Sequence, residues 1–241
     1  MEYVIITTIA FIWYKIYTWN RKNKENLQPI FIHRHGYRLD FDDQERGLTR
    51  WRDSPRYKEN PTDTPLLDAN EPRIAEHAQY IPNDVRFIYT SPMTRCIQTS
   101  IILQRRINEQ RTFIDGASPI QIKVRYDLAE AGSIIDDKLM PNSIARDYPA
   151  LICEYPPVAS VPVKTIIENG RLMYALIGEI HSRGEIPFIV AHCGHLYAGI
   201  TYYCGFDPSL DAKISGNDKT GMLAICNDKR FPQDDYHLIP V

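Results

Sequence analysis

Residues 29–40, PIFIHRHGYRLD, constrain the fold more than any other stretch: an apolar, β-branched and aromatic run stops abruptly on His33, Arg34, His35 and Gly36. A run of this kind ending in glycine is the pattern of a buried strand that feeds a loop. Arg34 and His35 are therefore expected at a strand's carboxyl end. In open α/β sheets ligands bind at that edge, because the crossover connections leave a crevice outside the strand ends. A guanidinium presents a planar fork of donors to phosphate oxygens, and an imidazole can act as nucleophile or proton carrier near neutral pH. Gly36 lets the backbone approach a ligand closely.

The same pattern recurs further on. Val85–Thr90 (VRFIYT) is a second β-rich run, and it stops on Ser91, Pro92, Met93, Thr94 and Arg95. Pro92 suits a first helical turn with Ser91 as its cap, and Ile97, Ile101, Ile102 and Leu103 form an apolar stripe. Arg95 thus falls in the opening turn of a helix, where free backbone N–H groups and a guanidinium make an anion site. Ile120–Leu128 (IQIKVRYDL) alternates apolar and polar residues, as a half-buried strand does, and leads to Glu130. An amphipathic helix over 165–182, closed by Gly184, precedes a third buried run, Phe188–Ala191 (FIVA), which ends on His192, Cys193, Gly194 and His195. The runs at 222–227 and 237–241 are expected as the last strands. The polar, proline-punctuated stretch 41–65, with Trp51 as its anchor, is expected as a long loop over the site. A helix is expected within 66–80, capped by Asp68. Residues 131–163, rich in proline, are expected to be irregular, with at most a short helix near 143–147, and to wall one side of the pocket.

Composition narrows the function classes. The 28 Lys+Arg against 30 Asp+Glu give a net charge of -2 without a long basic run in the body, which disfavours nucleic acid as a partner. Five widely spaced cysteines and no Asn-x-Ser/Thr acceptor favour a reducing compartment. Residues 1–26 form a hydrophobic leader and 27–241 one catalytic-sized domain. Within the leader, residues 3–14 form an uncharged apolar run that Ile16, Tyr17 and Trp19 prolong beyond Lys15, with Trp13, Tyr14, Tyr17 and Trp19 resembling an interfacial aromatic belt and Arg21, Lys22 and Lys24 a positive flank. That pattern fits a membrane anchor with the domain on the cytoplasmic face. An extra helix packed on the domain is the alternative.

Arg34-His35-Gly36, the Ser-Pro-x-x-Arg-x-x-Gln-Thr string at 91–99, Leu128-x-Glu130 and His192 before glycine stand in the order of the histidine phosphatase superfamily, the phosphoglycerate-mutase-like proteins, which the chain resembles over 29–227. The resemblance implies a three-layer α/β sandwich with a mostly parallel central sheet flanked by helices. It implies a phosphomonoester hydrolase that needs no metal or other cofactor. His35 would take the phosphoryl group, Glu130 would be the general acid and base, and Arg34, Arg38, Arg95 and His192 would hold the phosphate. The Arg-His-Gly-x-Arg-x-Asp string through Arg38 and Asp40 resembles the branch of the suppressors of T-cell receptor signalling and the ecdysteroid-phosphate phosphatases. The acid phosphatase branch carries His-Asp in its last block, where this chain has His192-Cys193. Tyr37 stands where a polar residue is usual. The partner expected is a phosphorylated substrate, either a phosphoprotein or a small phosphomonoester. Two rival readings are a metal site built from His33, His35, His192 and His195, which the neighbouring arginines would disfavour by repelling a cation, and a membrane-tethered pseudophosphatase that binds a phosphorylated partner without turnover.

Overall fold

The computed structural model describes residues 28–67, 71–112, 118–130, 147–154, 166–205, 207, 209–216, 219–226 and 236–240. Among them the chain runs β1 (Ile30–Arg34), α1 (Leu39–Arg46), α2 (Arg50–Asp53), α3 (Pro55–Glu59), α4 (Glu71–Glu76), β2 (Phe87–Thr90), α5 (Thr94–Arg111), β3 (Gln121–Arg125), β4 (Ile152–Glu154), α6 (Ile166–Ser182), β5 (Phe188–Ala191), α7 (Cys193–Cys204), α8 (Leu210–Ile214), β6 (Leu223–Cys226) and β7 (Tyr236–Ile239). Short 3-10 turns follow α4 at His77–Tyr80 and β3 at Tyr126–Leu128. The leader at 1–26 lies outside the described residues, and no helix among the described residues is long and apolar enough to cross a membrane.

The strands form one sheet in the order β4-β3-β2-β5-β1-β6-β7. β1 to β5 pair in parallel, while β6 and β7 add antiparallel at one side, so the sheet is mostly parallel as expected. Successive side chains of a strand point to opposite faces, and helices cover both. On one face Ile30 and Ile32 of β1 and Ile189 and Ala191 of β5 meet Met173, Leu176 and Ile177 of α6 and Leu196 and Ile200 of α7. On the other, Phe31, Phe188 and Val190 meet Ile74 of α4 and Cys96, Leu103 and Ile107 of α5. α7 lies so close to β1 that a Cβ at Gly199 would stand 2.0 Å from Ile32 Cδ1.

Several local expectations need correction. β3 is not half-buried: it sits between β2 and β4, and Ile122, Lys123 and Val124 are all buried. Lys123 achieves this by laying its ammonium 3.7 Å from the centre of the Phe87 ring. Residues 41–65 are no plain loop, since α1, α2 and α3 lie within or overlap them. The stops and starts were present in the sequence: Gly47 closes α1 in a left-handed conformation, and the Ser54 side chain caps α3 with Pro55 in its first turn. In 66–80 the regular helix is confined to α4, and the proposed cap Asp68 lies outside the described residues. Much of 131–163 also lies outside them, but Ile152–Glu154 within it form the strand β4 where irregular structure is expected.

Candidate active site

Strand register brings the residues at three strand ends together. β1 and β5 align Arg34 with Ala191, and β2 and β5 align Thr90 with Val190. The residues that follow these strands, His35, Ser91 and His192, therefore leave the sheet at adjoining points of its carboxyl edge. The ladder continues one step into the loops, with His35 N–H donating to Ala191 O at 2.9 Å and Ser91 N–H to Val190 O at 3.0 Å. The rings of His35 and His192 end 5.3 Å apart.

His35 is 3 % exposed, and its Nδ1 lies 2.8 Å from the Gly36 carbonyl oxygen. A carbonyl can only accept, so the ring proton sits on Nδ1 and Nε2 carries the lone pair. Burial, then the charges of Arg95 and His192, hold the ring well below its usual value of 6.5, which keeps that lone pair available at neutral pH. Gly36 N–H donates to Thr99 Oγ1 at 3.1 Å, tying this loop to α5.

The cations are fixed by different means. Arg34 donates from Nη1 to the carbonyls of Ile214 and Gly216 at 2.9 and 2.7 Å, which sets the plane of its guanidinium. Arg95 is fully buried; its Nη1 donates to Thr62 O at 3.3 Å and its Nη2 to Glu130 Oε2. Arg38 makes a two-toothed pair with Asp40, with Nε to Oδ1 at 2.9 Å, and stacks 4.2 Å above the Phe41 ring. Its charge is among those that lower both Glu130 and His192.

His192 stands at the N-cap position of α7, where its Nε2 lies 2.9 Å from Ser91 Oγ and its Nδ1 lies 3.8 Å from Glu130 Oε1. Burial, then Arg95, His195, Arg38 and Arg34, hold it well below its usual value. Burial pushes the Glu130 carboxyl up, but Arg95, His35, Arg38 and His195 together outweigh this and hold it below the ordinary range. In the free site Glu130 is thus a carboxylate engaged with Arg95.

Other contacts were not foreseen. Ser91 does not cap α5: the capping position is Met93, without a side-chain bond, and Ser91 instead orients His192. Asp63 supplies the missing cap, accepting the backbone N–H of Thr94 at 2.7 Å and the Thr94 hydroxyl. Nothing local in the sequence marks Asp63, because its partner lies 31 residues away. His33 is engaged elsewhere: its Nε2 meets His77 Nδ1 at 2.9 Å and its Nδ1 lies 2.6 Å from the Arg34 carbonyl oxygen. His195 stays 5.7 Å from His192, ring to ring.

The mostly parallel sheet flanked by helices, which gathers Arg-His, a helix-borne Arg, Glu and a second His on one carboxyl edge, has the phosphoglycerate-mutase-like architecture. No protein-family model matches the sequence, and no curated protein matches it. The likeness is to solved structures. The ecdysone phosphate phosphatase from Bombix mori, in complex with tungstate, aligns with a TM-score of 0.59 at 15% identity, covering 89% of this chain and 93% of that one. A mycobacterial glucosyl-3-phosphoglycerate phosphatase complexed with VO3 aligns with a TM-score of 0.50 at 16% identity, covering 88% and 97%. At such identities the likeness establishes the shared fold.

Proposed function

We propose that the chain is a phosphomonoester hydrolase that works through a phosphohistidine on His35. The observation that carries this reading is the tautomer of His35: Nδ1 is committed to the Gly36 carbonyl, leaving Nε2 unprotonated in a pocket of fixed cations. In the first step Nε2 forms a bond to phosphorus as the bond to the leaving oxygen breaks, and Glu130 gives that oxygen a proton. In the second, water attacks phosphorus, Glu130 takes its proton back, and the P–N bond breaks to regenerate neutral His35. Arg34, Arg38 and Arg95 neutralise charge on the transferring group while neutral His192 offers it a hydrogen bond, and such positioning and charge neutralisation are most of what phosphoryl transfer asks of a protein. Glu130 begins as a carboxylate paired with Arg95. An arriving phosphate competes for that guanidinium and adds negative charge beside the carboxylate, and both effects raise its pKa toward that of a working acid.

The proposed substrate is a phosphoprotein or a small phosphomonoester, and we propose that residues 3–19 tether the domain to the cytoplasmic face of a membrane. The phosphatase reading is tested by assaying protein that lacks 1–26 on p-nitrophenyl phosphate, phosphotyrosine peptides, phosphosteroids and sugar phosphates. Turnover that survives a chelator is the expected result. Activity lost to the chelator and restored by zinc or magnesium contradicts the mechanism, and binding of phosphate without turnover on any of these esters favours a pseudophosphatase.

A further inference from the structure

The first turn of α5 carries Arg95 yet has no local side-chain cap. Its orphan donor at Thr94 is met by Asp63, which is 3 % exposed and accepts both the Thr94 N–H and the Thr94 hydroxyl. The neighbouring carbonyl of Thr62 accepts from Arg95 Nη1 at 3.3 Å, and Leu66 N–H donates to Gln98 Oε1 at 2.8 Å. Residues 62–66 therefore run as a strap along the start of α5. The strap also holds the loop after His35: Leu39 N–H donates to Pro65 O at 3.0 Å, Leu67 N–H donates to Tyr37 O at 2.8 Å, and Arg38 bridges to Leu66. One short segment thus links the loop of the nucleophile to the helix of the buried guanidinium.

We propose that Asp63 is a positioning residue: acting through Thr94, it fixes the first turn of α5 and thereby the place at which Arg95 meets the transferring phosphoryl group. The inference rests on the reading of Arg95 as a phosphate ligand. A neutral cap would satisfy the N–H as well, and a carboxylate this near an anion site weakens anion binding by repulsion. Its presence is explained by reach and by double acceptance, since one carboxylate grips both the backbone and the hydroxyl of Thr94. Burial pushes the Asp63 carboxyl up, and the Thr94 bonds with the charges of Arg95 and Arg56 only partly reverse this. Arg56 completes the cluster, donating from Nη2 to Thr94 Oγ1 at 3.2 Å.

The test measures kcat/KM on p-nitrophenyl phosphate and the Kd of orthovanadate for wild type, Asp63→Ala, Asp63→Asn, Arg95→Gln and the double variant Asp63→Ala/Arg95→Gln. Displacing a transition-state ligand by about 1 Å costs on the order of 100-fold. Asp63→Ala should accordingly lower kcat/KM by about 10- to 100-fold and weaken orthovanadate in parallel. Asp63→Asn, which keeps an acceptor for the N–H, should recover most of the loss. In the Arg95→Gln background the Asp63→Ala loss should vanish to within about twofold, because coupled residues are not additive. Wild-type behaviour of Asp63→Ala, or a full additive loss on top of Arg95→Gln, overturns the proposal. If Asp63→Ala does not unfold cooperatively, Thr94→Val replaces it, keeping the backbone N–H while losing the hydroxyl. A several-fold loss that disappears with Arg95→Gln supports the proposal, and no loss or an additive one overturns it. A wild-type protein that neither turns over the ester nor binds orthovanadate removes the phosphatase reading and this inference with it. An active wild type with an indifferent Asp63→Ala removes this inference alone.

Discussion

In the proposed mechanism Glu130 and His35 have different jobs, and substitution separates them. As the proposed acid, Glu130 would lend a proton to the leaving oxygen, a contribution typically worth about 10²–10⁴-fold. A nitrophenolate departs with little help and an alkoxide needs much, so Glu130→Gln should slow alkyl phosphates far more than p-nitrophenyl phosphate while leaving orthovanadate binding largely intact. Equal losses on the two esters would show that another carboxylate is the acid. Of the site residues, those at strand ends were legible from sequence, because an apolar run that stops on Arg34-His35 or on His192 has only one place to put them. The environment of each was not legible. Gly36 O places the His35 proton on Nδ1, while burial and then the Arg95 charge keep the ring neutral, and only the assembled edge supplies both.

At the scale of elements, close approach of α7 to β1 sets where His192 leaves the sheet. A Cβ at Gly199 would stand 2.0 Å from Ile32 Cδ1 and 3.2 Å from Met173 Cε, both fully buried side chains. Overpacking of this kind costs about 1–3 kcal/mol, against a helix-propensity gain of about 1 kcal/mol for alanine over glycine. Gly199→Ala should therefore show a net loss in urea unfolding. Gly178, exposed on α6 with nothing within 4 Å of its would-be Cβ, is the control, and Gly178→Ala should raise stability by up to about 1 kcal/mol. Equal effects at the two positions would contradict the packing. Elements were legible where the pattern was local, as for α6 with its apolar stripe or β5 with its continuous apolar run. β3 misled because Lys123 looks polar in sequence and is buried against Phe87 in the fold. The strap at 62–66 was invisible because its partners lie on α5 and on the loop after β1, far along the chain.

Taken as a whole, the molecule buries several neutral histidines, and its stability should respond to acid. His33, His35 and His192 are each held well below 6.5, first by burial. A folded-state value below the unfolded one means that the unfolded chain binds more protons as pH drops. Stability is then fully present above about 6.5 and is lost progressively as pH falls from there toward the folded values. Each such histidine costs up to about 1.4 kcal/mol per pH unit in that window. Urea unfolding should show clearly lower stability near pH 5.5 than near pH 7.5, and an unchanged value would contradict neutral burial. The proposed nucleophile, His35, stands at the edge of this sheet. The most direct measurement is to react the protein with a labelled phosphate ester, quench it under conditions that preserve phosphohistidine, and locate the label by mass spectrometry. Label on His35, absent in His35→Ala along with turnover, is the expected result; label on any other residue, or turnover that persists in His35→Ala, contradicts it.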